Sequence, residues 1–263
     1  MREIPILMYH EVSEDIEKNR KVRSMHPSYS LPVDRFAQEL LYLFENDFRT
    51  ILLDQLLLLK HEAMEREKNV VLTFDDGHVG NFVYALPNLK RYNFVATFFV
   101  TVDWIGNSNM LEWEQLVEMS ENGMSIQSHG MTHDPLTALS DKRIRYELLK
   151  SKEIIEDKIG KEVKFLSVPH GSIDYRCKVI AREIGYQGIC TSKVGYFTYQ
   201  DCFEMERVLI AKRYDQGKFR RIVELNHVTM TELKTSKQLR NWLKKVIGID
   251  AYRKIYRRLY HIQ

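Results

Sequence analysis

The stretch Val70-Val71-Leu72-Thr73-Phe74-Asp75-Asp76-Gly77 decides how the rest of the chain is read. A short apolar run breaks on two acids and a glycine, the form of a strand buried on both faces that ends in a turn. The same form recurs to either side. Ile4–Tyr9 ends at His10, and Thr50–Leu53 is a further short strand. Val95–Val102 comes after a helical segment that reaches about Lys90, with Pro87 marking a kink or break. Ser125–Ser128 leads into His129, and Val163–Val168 into Pro169-His170-Gly171; Gly188–Thr191 and Arg207–Ala211 complete the series.

Amphipathic stretches fill the intervals. Phe36, Leu40, Leu43 and Phe44 fall at i, i+4, i+7 and i+8, one face of a helix, and Leu56–Leu59 is the apolar run of the next. Leu111, Leu116 and Val117 fit a helix closing at Gly123. Ser140 N-caps a helix with Ile144, Leu148, Ile155 and Ile159 on one stripe, stopped at Gly160, and Asp174–Ile184 is a helix ended by Gly185. Seven or eight strand-then-helix units with no repeat or linker give an α/β chain whose parallel sheet closes as a barrel. A doubly wound open sheet is the alternative. Both place chemistry beyond the C-terminal ends of the strands, so the residues directly after each apolar run are the ones to examine.

Composition narrows the function classes. The chain has 263 residues, 39 Lys+Arg against 36 Asp+Glu, and a net charge of +3. That balance excludes a general binder of nucleic acid. Hydrophobic residues at 44% and charged residues at 29% exclude disorder. Cys177, Cys190 and Cys202 are odd in number and form no C-x-x-C pair, so they read as reduced thiols. The apolar run Ile4–Tyr9 is too short for a secretory core, and the longest apolar stretch, Phe94–Val102, is too short to span a bilayer. The expected location is cytoplasmic, or peripheral at the inner membrane face.

Between Lys234 and Arg258 stand nine Lys/Arg and one acid, Asp250, with Trp242, Leu243, Val246, Ile247, Ile255, Tyr256 and Leu259 at helical spacing. This basic amphipathic helix either meets anionic lipid headgroups or packs its stripe on the barrel. The expected division is a barrel over residues 1–230 and a helical extension over 231–263.

The strand ends carry the chemistry. His10, Asp75-Asp76, Ser128-His129 with His133 four residues on, and Pro169-His170-Gly171 follow four separate strands and should converge on one rim. Two imidazoles and one carboxylate suit zinc or another divalent transition ion and leave positions open for water. The neighbouring carboxylate can then take the proton of that water, whose pKa a metal lowers to about 7.

Thr73-Phe74-Asp75-Asp76-Gly77 followed by Ser128-His129-Gly130-Met131-Thr132-His133 resembles the signature of the polysaccharide deacetylase family (NodB homology, carbohydrate esterase family 4). The likeness runs from Ile6-Leu7-Met8-Tyr9-His10 to about Ala211 and takes in Leu111–Leu116 and Ser167–Gly171. It implies a distorted (β/α)7–8 TIM-like barrel that removes N-acetyl groups from a GlcNAc-like sugar of a polysaccharide, a glycolipid or its precursor. By the same resemblance Asp75 is the general base, and Asp76, His129 and His133 hold a divalent metal, Zn2+ first, with Co2+, Ni2+ or Mn2+ as alternatives.

The chain departs from the family pattern in two places. The third motif, R-x-P-Y, reads Ser167-Val168-Pro169-His170, so the arginine that orients the base is absent, and Arg207 is the candidate to supply its charge. Pro169 and His170 are expected at the oxyanion hole and the substrate. The general acid of most relatives lies in an L-x-H string, but Leu225-Asn226-His227 falls in Lys218–Val228, which reads as a helix. His10 is the better candidate, as in the partly permuted poly-N-acetylglucosamine deacetylases. Trp113 is a candidate platform for a sugar ring or a core residue. His26, His61, His78 and His261 read as surface residues. The competing functions are a catalytically silent glycan-binding barrel, and an O-deacetylase or deformylase on the same metal site.

Overall fold

The computed structural model describes residues 3–14, 29–58 and 67–247. Two compact units are present, Met1–Leu225 and Asn226–Gln263. The first opens with β1 (Ile6–Tyr9), β2 (Glu11–Ser13), β3 (Ser30–Pro32), α1 (Val33–Glu45), β4 (Phe48–Thr50), α2 (Leu53–Leu58) and β5 (Lys68–Phe74). A π-helical turn, Asn81–Ala85, runs into α3 (Leu86–Arg91). Then come β6 (Thr97–Val100), α4 (Trp113–Glu121), β7 (Ser125–Ser128), α5 (Asp141–Ile159), β8 (Phe165–Ser167), α6 (Tyr175–Ile184), β9 (Gly188–Cys190), β10 (Val208–Leu209) and α7 (Gln216–Val223). The second unit contributes α8 (His227–Ile247).

The main sheet has eight strands in the order β10-β1-β5-β6-β7-β8-β9, with β4 also on β5, and every pairing in it is parallel. From β5 to β9 that order follows the chain, and β1 and β10 adjoin at the other end. A doubly wound sheet reverses direction at a switch point, and this one does not. The chain beyond β9 folds back alongside it: Met205 N–H donates to Ile189 O at 2.8 Å and Thr191 N–H to Met205 O at 3.0 Å. The segment then passes into β10, which pairs with β1, so the curled parallel sheet has the strand succession of a barrel rather than of an open sheet.

Burial explains the apolar runs. All of β1 and β6, and β5 from Asn69 onward, are buried, as strands with chain packed on both faces must be. The punctuation residues act where the sequence places them. Ser140 and Asp174 accept N-terminal N–H groups of α5 and α6, and Gly160 and Gly185 end these helices in the left-handed region. Pro87 lies where the π-helical turn passes directly into α3, so the break it makes in the helical segment falls at that change of helix type.

Lys218–Val228 is not one helix. α7 stops at Val223, Leu225 takes a left-handed φ of 58°, and α8 starts at His227, which is exposed. Within α8, Met230 and Leu233 are buried while Val228, Leu239, Trp242 and Val246 are exposed. Residues from 248 on, including Ile255, Tyr256, Leu259 and His261, lie outside the described residues, as do His26 and His61. Among the described residues no helix is long and apolar enough to cross a membrane.

Candidate active site

The site begins where β5 stops. Asp75 N–H donates to Tyr9 O at 3.0 Å, which still follows the sheet, but Asp76 turns to a left-handed φ of 79° and Gly77 to 89°. A non-glycine residue held there is strained, and the turn sends consecutive carboxylates to different partners.

Asp75 meets Arg207. The guanidinium is fully buried, and its Nη1 and Nη2 donate to Asp75 Oδ1 and Oδ2 at 2.8 and 2.7 Å. Its remaining bonds go to Thr73 Oγ1 at 3.2 Å, Ser167 Oγ at 2.9 Å and Thr191 O at 2.9 Å, which uses every N–H an arginine has. Ser167 Oγ in turn donates to Asp75 Oδ2 at 3.1 Å. The serine at the position of the family's arginine therefore touches the same carboxylate, and the guanidinium reaches it from the segment before β10. Burial pushes the Asp75 carboxyl up, but the charges of Arg207 and His129 and the Arg207 hydrogen bond outweigh it and hold the group below its ordinary range.

Asp76 meets histidines. His129 Nε2 and His133 Nε2 lie 3.2 and 3.3 Å from Asp76 Oδ1. His129 extends β7, with its N–H on Val100 O at 2.8 Å, and its Nδ1 is 2.7 Å from Ser167 O. A carbonyl only accepts, so Nδ1 carries the proton and Nε2 is the nitrogen turned toward Asp76. Two lone pairs facing each other in a buried place need a cation or a proton between them. Both Asp76 oxygens are buried without a hydrogen-bond partner among the described residues. One ligand atom each from Asp76, His129 and His133 lies within 4.8 Å of the others. This donor set fits a divalent transition ion, with the Ser167 carbonyl orienting His129 behind it.

The other expected residues fall as follows. His10 stacks on Tyr29, ring centroids 4.5 Å apart, and its Nδ1 is buried with no partner among the described residues. Burial lowers its pKa, opposed by the charges of Asp76 and Asp75. Pro169 is buried, and His170 has a left-handed φ of 59° with its ring centroid 4.8 Å from that of His133. Trp113 opens α4 half-buried, and none of the site's ring contacts involves it. The tryptophan on the cluster is Trp104, 4.7 Å from His133 between ring centroids. It follows β6, so the strand-end rule that located the histidines would have found it too. His78 corrects the sequence reading: it is buried, with Nε2 3.9 Å from Asp76 Oδ2.

Residues 63–189 match the family model described as polysaccharide deacetylase. YxkH of Bacillus subtilis (strain 168), whose name places it among polysaccharide deacetylases, is 29% identical over 223 residues, 84% of this chain and 76% of YxkH. The poly-β-1,6-N-acetyl-D-glucosamine N-deacetylase of Staphylococcus epidermidis is 24% identical over 227 residues, 78% of each chain. Of the peptidoglycan-N-acetylglucosamine deacetylase PgdA of Listeria monocytogenes the chain spans only 24%, at 32% identity. The solved structure of the Streptococcus pyogenes deacetylase PplD superposes with a TM-score of 0.77 at 23% identity, covering 84% of this chain and 98% of that one. That structural likeness establishes the barrel-type fold. The paired acids, the two histidines, the match over 63–189 and the alignment with YxkH agree in a likeness to the polysaccharide deacetylase family.

Proposed function

We propose that this enzyme is a metal-dependent de-N-acetylase of a GlcNAc-like saccharide. The observation that carries the reading is the split between adjacent acids: Asp75 is gripped by Arg207, and Asp76 is left to face two imidazole nitrogens. The name of the Staphylococcus epidermidis relative supports the N-acetylglucosamine class.

Asp76, His129 and His133 would hold the ion. When bound, it supplies Lewis acidity that polarises the acetamide carbonyl and acidifies a water. The chain's own residues supply the rest. Asp75, kept ionised by Arg207, takes the proton of the attacking water. The backbone N–H of His170 donates to the developing oxyanion. His10 delivers a proton to the leaving nitrogen, so acetate and the free amine are the products. Trp104, ring against His133, gives the acetyl group or sugar a flat apolar wall.

The silent glycan-binding alternative drew on the absent motif arginine, and the Arg207–Asp75 fork removes that ground. Acetate release from N-acetylated oligosaccharides tests the proposal. Asp75→Asn should lower turnover by about 10²–10⁴-fold with metal content unchanged, the scale of a lost general base. His133→Ala should lose metal and activity together. Full activity in Asp75→Asn overturns the mechanism, and release of acetate only from O-acetyl esters shifts the substrate class.

A further inference from the structure

We infer that Glu147 is a positioning residue for the metal site, holding from α5 the turn that carries His129 and His133. The inference rests on the metal reading above. The turn leaves the sheet after His129, and His133 and Gly130 are both left-handed, with φ of 70° and 82°. Backbone in that state makes no regular ladder, so its N–H groups need partners elsewhere.

Glu147 provides them. Its Oε2 accepts the N–H groups of Met131 and Thr132 at 2.9 and 3.0 Å, and its Oε1 accepts the Thr132 hydroxyl at 3.0 Å. Arg143 Nη2 reaches Oε1 at 3.0 Å from the outer side. Ser151, one turn further along α5, pairs at 2.7 Å with Ser128 Oγ, which accepts Gly130 N–H at 3.1 Å. The turn's carbonyls are held from the opposite side, Gly130 O by Val102 N–H at 3.2 Å and Met131 O by Asp103 N–H at 3.0 Å. Glu147 is fully buried beside Ile144 and Leu148, a place where an acid persists only with strong partners. It stands outside the ligand cluster and acts through the backbone between the two ligands.

The chemistry requires a carboxylate. All four of these groups donate, and a carboxylate accepts at both oxygens, whereas an amide would turn N–H groups toward two of them. Glu147→Gln should keep its fold by circular dichroism and weaken Zn2+ affinity by about 10–100-fold, the usual cost of a lost orienting partner. Arg143→Ala, which leaves all three turn bonds in place, should stay within about threefold.

The experiment titrates Zn2+ alone into metal-free protein against a chromophoric chelator, with the Co2+ absorption spectrum as a second readout. Weaker Zn2+ binding and an altered Co2+ spectrum in Glu147→Gln alone support the inference. Wild-type affinity and spectrum in Glu147→Gln, or equal weakening in both variants, overturn it. If Glu147→Gln does not fold, Thr132→Val removes one of the three turn bonds and should weaken Zn2+ several-fold; unchanged affinity there overturns the inference. Wild-type protein that binds no Zn2+ overturns the metal reading and this inference with it.

Discussion

Glu39 shows how far a residue's chemistry can depart from its letter. It lies in α1 between Phe36 and Leu40, fully buried, accepting Tyr9 Oη–H at 3.0 Å and Arg35 Nε–H at 3.2 Å. Burial pushes its pKa up to about 8, and the Arg35 charge only partly opposes this. In the unfolded chain the group titrates near 4.3. Between these values the folded state keeps a proton the unfolded state has lost, so stability declines as pH rises from about 4.5 to about 8 and levels off above. Glu39→Gln has no such proton. Urea unfolding at pH 5, 6.5 and 8 should show the variant gaining on wild type by at most about 1.4 kcal/mol per pH unit. Parallel pH profiles would sink the assignment. The sequence makes the acids and histidines of the site legible because each directly follows an apolar run. It offers Arg207 only as a candidate beside Asp75, because that contact joins residues 132 apart, and it misreads His78 as a surface residue, because no local pattern marks its burial.

Elements were legible wherever a side chain marks its own end. Ser140, Asp174, Gly160 and Gly185 stand at helix boundaries as their chemistry requires. The break at Leu225 was not legible, since a leucine carries no sign of left-handed backbone and the apolar spacing runs straight through it. The same limit applies to α8, where spacing shows a stripe but not its environment. Trp242 is exposed, so Trp242→Ser should cost less than about 0.5 kcal/mol in urea unfolding. A larger loss would mean that the stripe is packed against something.

At the scale of the molecule, alternating strands and helices conveyed the parallel sheet, but a list of elements does not distinguish curled from open. Strand succession does, and it is completed by the segment Met205–Leu209 between β9 and β1. Arg207 in that segment joins Thr191 after β9, Ser167 in β8, and Thr73 and Asp75 at the end of β5. Arg207→Met should therefore cost about 3–5 kcal/mol in urea unfolding, because it strands a buried carboxylate, and it should abolish acetate release. Adding Asp75→Asn to it should restore much of the stability and none of the activity. A stable single variant would contradict the fork's role in closing the sheet.

Asp75 and Arg207 are 132 residues apart in sequence, whereas the proposed ligands Asp76, His129 and His133 all fall in one contiguous half of the chain. During synthesis and folding the two functions of the site are thus separable in time. A nascent chain that has emerged past residue 133 already contains every donor for an ion and the base Asp75, but Arg207 grips that base only when the return of the chain closes so long a loop, an entropically late event. Activity then reports that the entire barrel is complete, while ion binding asks for the chain only as far as Glu147 and Ser167, which hold the turn and orient His129.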